Sequence, residues 1–221
     1  MQVRQPGLSA IAELVGEPPT IKRPGPTRKV IAQRREDLRA KDFPPFWREA
    51  THDLLTAYHC VCAYACLYIY PITGSATVDH WAPKSKAWDR VYEWSNYRLA
   101  CSFINAKKGD FSDVIDPTAI DDGIFALDLI AMVAIPGPKA GSRRVAVQET
   151  IQRLGLDGSR YTKELDGYYE AYSNGEVSFE YLEKRAPFLA RELQRQGKLR
   201  AEEILKRPAE SPRDMGKSHP G

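Results

Sequence analysis

Apolar residues in this chain come in short runs closed by proline or glycine. That pattern limits the length of any element the chain can build. The longest runs are VCAYACLYIY at 61–70, ended by Pro71, and IFALDLIAMVAI at 124–135, bounded by Gly123 and Pro136. Neither approaches the roughly 20 apolar residues that a helix needs to cross a bilayer, so no membrane partner is expected. Short runs of this kind build short strands and short core helices. With 43% of 221 residues apolar there is enough to bury a core, and global disorder is excluded as a reading. Mean hydropathy is −0.47, as in a soluble chain. The N-terminal stretch MQVRQPGLSAIAELVGEPP carries Glu13 and Glu17 and has no continuous apolar segment. A secretory signal is not expected there, which points to a cytoplasmic protein.

Prolines and composition divide the chain into four regions. Residues 1–46 form a proline-rich, basic extension, punctuated by Pro6, Pro18, Pro19, Pro24, Pro26, Pro44 and Pro45. Short helices are expected at Leu8 to Val15 and Arg28 to Lys41, with a loop between them where proline removes backbone donors. Residues 47–112 hold the chemistry described below. Residues 113–206 read as a mainly helical region, and 207–221 as a disordered tail. Phe46, Ala50, Leu54 and Ala57 recur near a helical period. The following cysteine-rich run and the run at 124–135 each fit a helix or a buried strand, which periodicity alone does not decide. ATVDHWAP is a short strand ended by Pro83, and NYRLACSFINAKKGD an extended piece leading into a helix stopped by Gly109. Three helical pieces follow Val145. Ser178 is placed to cap the third, Leu182 and Leu189 to face inward, and Pro187 to divide it.

A net charge of +3 permits a nucleic-acid partner without requiring one. The charge is concentrated at 22–41, where Lys22, Arg23, Arg28, Lys29, Arg34, Arg35, Arg39 and Lys41 face only Glu36 and Asp37. This is either a solvated arm or a segment that tracks a phosphate backbone.

The chemistry-bearing residues lie in TVDHWAPKS, YEWSNYRLAC and SFINAKKGD. Phosphodiester hydrolysis needs an activated water and charge stabilisation on the phosphate. A histidine suits the base, and Asp or Asn oxygens suit a hard divalent cation. Asp79 and His80 are neighbours at a strand end, so their side chains point to opposite faces. A carbonyl from a second segment can fix the imidazole tautomer through its other nitrogen. Asn105 sits on the following helix, within reach of the metal that Asp79 would hold.

Asp79-His80, Pro83-Lys84, Asn96-Tyr97 and Asn105-Ala106-Lys107-Lys108-Gly109-Asp110 together resemble the motif of the HNH endonucleases, over about residues 60–112. The resemblance implies an α+β protein with a small ββα-metal nuclease core embedded in a mainly helical chain. It implies His80 as general base and Asn96 as the middle residue that ties the loop down and orients His80. Asp79 and Asn105 would be ligands of one catalytic Mg²⁺ or Mn²⁺, and Lys84 and Lys108 phosphate contacts. By charge alone, Lys107 and, on the arm, Arg28, Lys29, Arg34 and Arg35 are further candidate nucleic-acid contacts. A narrower likeness joins VDHWAPKS, YEWSNYRLA, DVIDP and ETIQRLGLD to bacterial HNH proteins of Septu-like and retron-linked anti-phage systems. It implies an ABC-type ATPase or another defence-system protein as partner.

Many HNH proteins hold a structural zinc between two CxxC pairs. Here the first pair is lengthened to Cys62-Ala-Tyr-Ala-Cys66, and the second has Cys101 but Ile104 in place of a cysteine. Cys60, Cys62, Cys66 and Cys101 make four ligands on paper, yet Cys60 and Cys62 are tightly spaced for a tetrahedral site. Apolar packing of Cys66, Leu67, Phe103 and Ile104 is expected instead of zinc. The expected activity is metal-dependent hydrolysis of DNA. The alternatives are an RNase of the same fold, for example one cleaving tRNA, and a non-catalytic partner-binding module. Intact Asp79, His80 and Asn105 favour catalysis, because binding alone needs none of them.

Overall fold

A computed structural model describes residues 43–202. The two expected N-terminal helices, the basic arm and the C-terminal tail lie outside the described residues. The described chain is an α+β protein of short helices and two small antiparallel sheets. It opens with a 3-10 turn at Phe46–Ala50 that runs into helix α1, Thr51–Ala57. Ala50 and Leu54 are buried, as their spacing predicts, while Phe46 stays largely exposed.

The cysteine-rich run is neither helix nor strand. His59, Cys60 and Cys66 take left-handed backbone conformations, and the segment folds into tight turns closed by a single bridge between Val61 and Tyr68. Most of its apolar residues are nonetheless buried, with Cys62, Ala63, Tyr64, Ala65 and Cys66 all in the core, while Tyr70 is exposed. Burial here is achieved by turns that hydrogen-bond locally, for instance Cys66 N–H to the Cys62 carbonyl at 2.9 Å, which satisfies the buried backbone without a ladder.

Strand β1, Ala76–His80, pairs antiparallel with β2, Tyr97–Cys101, so that Asp79 lies opposite Arg98 and His80 opposite Tyr97. Helix α2, Ser102–Lys108, follows β2 without a break. Ser102 N–H donates to the Ser75 carbonyl, so the helix starts beside the beginning of β1 and runs back along the strand. Gly109 ends it with φ of 47°, a left-handed conformation in which a side chain would be strained.

The run at 124–135 is a hairpin, because Asp128 breaks it. β3, Phe125–Asp128, and β4, Val133–Pro136, are joined by a turn in which Asp128 Oδ1 accepts from the N–H groups of Ile130 and Ala131. The outer edge of β3 is covered by side chains of a later helix. Glu192 accepts from Leu127 N–H at 3.0 Å and Gln196 donates to the Leu127 carbonyl at 2.8 Å, which removes a bare strand edge.

Four helices complete the described chain: α3, Arg144–Leu154, α4, Ser159–Ser173, α5, Phe179–Arg185, and α6, Pro187–Arg195. Pro187 divides α5 from α6, and Ser178 Oγ caps α5 by accepting from Tyr181 N–H. Leu182 and Leu189 are fully buried. One apolar cluster runs from Ala50 to Leu193, so the region with the candidate chemistry and the helical region share a core. Tyr161 on α4 donates to the Ala65 carbonyl, and Tyr68 N–H to the Arg185 carbonyl.

Candidate active site

Asp79 and His80 end β1, and both are buried. Strand alternation sends them to opposite faces, and each finds a different set of partners.

His80 Nε2 lies 2.9 Å from the Val91 carbonyl. A carbonyl only accepts, so Nε2 carries the proton and Nδ1 the lone pair. The same carbonyl also accepts from Tyr97 OH at 3.0 Å. Trp47 and Tyr97 meet the imidazole edge-on at 4.9 and 5.2 Å between ring centroids and fix its plane. Burial lowers the His80 pKa to about 4, with Lys84 and Lys108 adding to the effect. The ring is therefore neutral in the physiological range.

Asn96 is completely buried at the end of the loop that leaves β1. Its Oδ1 accepts from Ala82 N–H at 2.8 Å, and its Nδ2 donates to the carbonyls of Ala82 and Arg90. Its own carbonyl accepts from Trp81 N–H. These bonds close residues 81–96 into a fixed loop, and Val91 is carried in that loop. Asn96 thus orients His80 at one remove.

On the other face, Tyr64 OH donates to Asp79 Oδ2 at 2.5 Å, and Lys108 Nζ lies 3.2 Å from Asp79 Oδ1. Lys108 also donates to the His80 carbonyl at 2.8 Å. Burial raises the Asp79 pKa, opposed by Lys108 and Tyr64. Arg98, the cross-strand neighbour of Asp79, is itself held by a two-pronged pair with Asp116 at 2.8 and 2.5 Å. Asp116 belongs to the DVIDP segment, which this pair fastens to β2.

Asn105 and Lys108 stand one turn apart on α2, and Thr77 and Asp79 two residues apart on one face of β1. They meet pairwise, Asn105 Nδ2 donating to Thr77 Oγ1 at 3.0 Å while Lys108 reaches Asp79. Asn105 and Asp79 therefore lie on facing surfaces of helix and strand, but each is held by a different partner.

One of the expected phosphate contacts is placed otherwise than its charge suggests. Lys108 is fully buried and serves as the counter-charge of Asp79, so it is not a surface contact as the structure stands. The helix period turns it inward, three residues after Asn105. Lys107 is exposed, 6.0 Å above the Phe103 ring. Lys84 is half-buried, with its ammonium 4.1 Å from the centre of the Trp47 ring and therefore close to His80. Arg28, Lys29, Arg34 and Arg35 lie outside the described residues.

Tyr64, Trp47 and the Val91 carbonyl complete the site and were not singled out from sequence. Tyr64 is hidden in an apolar run, where a tyrosine reads as core, although a buried tyrosine hydroxyl needs a partner. A backbone acceptor such as Val91 leaves no trace in residue identity.

All four cysteines are free thiols. Cys66 and Ile104 are buried, and Leu67 and Phe103 pack against the same core. Among the described residues no group of three or more His, Cys, Asp or Glu is placed to hold a metal ion. Nor is any described helix long and apolar enough to cross a membrane.

No protein-family model matches this chain, and no curated protein is significantly similar to it in sequence.

Proposed function

We propose that the chain is a metal-dependent HNH-type endonuclease that hydrolyses phosphodiester bonds in DNA and acts in bacterial anti-phage defence. The observation that carries the hydrolytic reading is the state of His80. It is a neutral imidazole at a strand end, with Nε2 committed to the Val91 carbonyl and the lone pair left on Nδ1. A satisfied core histidine has no need of a neighbouring carboxylate, an asparagine just before the second strand that fastens its acceptor loop, and a following helix with an amide on the facing surface. The order β1, β2, α2 is what a ββα-metal core requires.

Asp79 and Asn105 offer a carboxylate and a carboxamide, which are hard oxygen donors of the kind Mg²⁺ and Mn²⁺ prefer. The Asn105 nitrogen is spent on Thr77, which leaves its oxygen as the donor atom. Tyr64 and Lys108 keep the Asp79 carboxylate oriented and compensated inside the protein. Asp79 and Asn105 are thus donors of the kind one hard divalent cation takes, and such a cation, on displacing the Lys108 ammonium from Asp79, would stabilise charge on the phosphate and leaving oxygen.

In this reading His80 Nδ1 takes the proton of the attacking water, while Val91 and Tyr97 hold the ring in the right tautomer. Asn96 fixes the loop that carries Val91. Lys84, beside His80 and over Trp47, meets the phosphate. The defence role and an ATPase partner rest on the narrower motif likeness.

The test is cleavage of plasmid, single-stranded DNA and tRNA by the full chain with Mg²⁺ or Mn²⁺. DNA cleavage should be lost in EDTA and fall by about 10²–10⁴ in His80→Ala. Cleavage of tRNA alone would make the chain an RNase, and undiminished activity in EDTA or in the variant would refute the mechanism.

A further inference from the structure

The cysteines play no part in that chemistry, yet two of them are brought together. Cys62 lies in the turn segment before β1, and Cys101 is the last residue of β2, so 39 positions separate them in sequence. Ala63 N–H donates to the Leu99 carbonyl at 2.8 Å, which fastens the turn segment alongside β2. The two thiols share a side-chain hydrogen bond. Both line a cavity of about 330 Å³, walled by Tyr68, Tyr70, Phe103 and Arg160 among others. Cys101 is partly exposed, whereas Cys62 is 1% exposed beneath it.

We infer that Cys62 and Cys101 are a reversible dithiol–disulfide pair, in which Cys101 meets a peroxide oxidant through this cavity and Cys62 resolves the product. The chemistry balances with hydrogen peroxide as the oxidant. The Cys101 thiolate attacks one peroxide oxygen, an S–O bond forms, the O–O bond breaks, and hydroxide leaves to take up a proton as water. Cys101 is then a sulfenic acid. Cys62 sulfur attacks Cys101 sulfur, the S–S bond forms and the S–O bond breaks. The departing hydroxide collects the Cys62 proton as a second water. The two sulfurs have together lost two electrons, and the peroxide has gained them.

The two thiols are unequal in the sense this order requires. The hydrogen bond from Cys62 lowers the Cys101 pKa, and backbone N–H groups of Ile104 and Phe103 act the same way. Burial raises the Cys62 pKa, so the thiolate form is favoured on Cys101, the more exposed of the two. Cys66 is a contrasting case, since burial pushes its thiol well up and it does not line this cavity. Cys60 sits on a left-handed turn outside the cavity.

The experiment uses the full chain, fully reduced and then exposed to graded hydrogen peroxide. Free thiols are alkylated in denaturant, and the digest is mapped by mass spectrometry without reductant. A bridged peptide joining Cys62 to Cys101 should appear and should vanish with dithiothreitol. The Cys101 peptide should be consumed roughly tenfold or more faster than the Cys66 peptide. In Cys62→Ser, Cys101 should accumulate as a dimedone-trapped sulfenic acid. The wild-type map does not depend on that variant folding. If Cys62 and Cys101 both remain fully alkylatable while other residues oxidise, or if either bridges to Cys60 or Cys66 instead, the pairing is wrong.

Discussion

The protonation of His80 ties stability to pH in a way that can be worked through. An ordinary histidine titrates near 6.5, whereas His80 in the folded chain titrates at about 4, chiefly because it is buried. Between those values the unfolded chain binds a proton at this position and the folded chain does not. Acid therefore draws the equilibrium toward the unfolded state across that window. The His80 contribution to stability is intact above about pH 6.5, declines as pH falls to about 4, and changes no further below that. The gap corresponds to about 3 kcal/mol. Asp79 works in the opposite sense, since its raised pKa makes the folded state hold its proton more tightly. Comparison with a variant that retains Asp79 cancels this contribution. The variant is His80→Gln, whose amide N–H can still meet the Val91 carbonyl but has no proton to gain. Urea unfolding of both proteins from about pH 7.5 to about pH 4.5 should show their stability difference shifting by up to about 3 kcal/mol against wild type in acid. NMR titration should place the His80 ring, assigned by its absence from the variant, well below the ordinary histidine value of about 6.5. A stability difference that stays constant with pH, or a His80 resonance that titrates near 6.5, would refute the buried neutral imidazole. The assignment of Nδ1 as the basic atom would fall with it.

Three further outcomes are expected. Lys108→Met should cost about 3–5 kcal/mol in urea unfolding, because Asp79 is left buried without its ammonium. Asp79→Asn in the same chain should restore part of that stability, and a cost indifferent to Asp79 would mean that the two do not form a pair. Asn96→Ala removes three side-chain hydrogen bonds and should destabilise by roughly 2–4 kcal/mol. Hydrogen exchange at Ala82 should then speed up, and an unchanged Ala82 amide would show that Asn96 does not hold the loop. Deleting residues 1–41 should weaken DNA binding and flatten its salt dependence, by about 0.9 in log–log slope for each phosphate that the arm neutralises. Cleavage at saturating substrate should persist, and an unchanged slope would assign the basic arm to another task.

Sequence alone determined the elements whose signals are local. Ser178 announced a helix start, Pro187 a division and Gly109 a stop, and each acts through its own backbone or through a bond to a residue three positions away. The order Asp79, His80, Asn96, Asn105 was legible for the same reason, since a short strand and the helix after β2 fix which residues stand near one another. The two apolar runs were not legible. One became turns through left-handed residues and the other a hairpin through Asp128, because burial satisfies an apolar run equally well in any shape whose backbone is hydrogen-bonded. Tertiary structure alone decided how the candidate site is wired. Lys108 looks from its charge like a phosphate contact, but the period of α2 carries it under the strand to Asp79. Tyr64 reaches Asp79 from 15 residues away, and Val91 reaches His80 with a carbonyl that any residue would supply. Charge and spacing name candidates for a site, but the direction a side chain takes and the backbone groups that meet it follow only from the packing of segments distant in sequence.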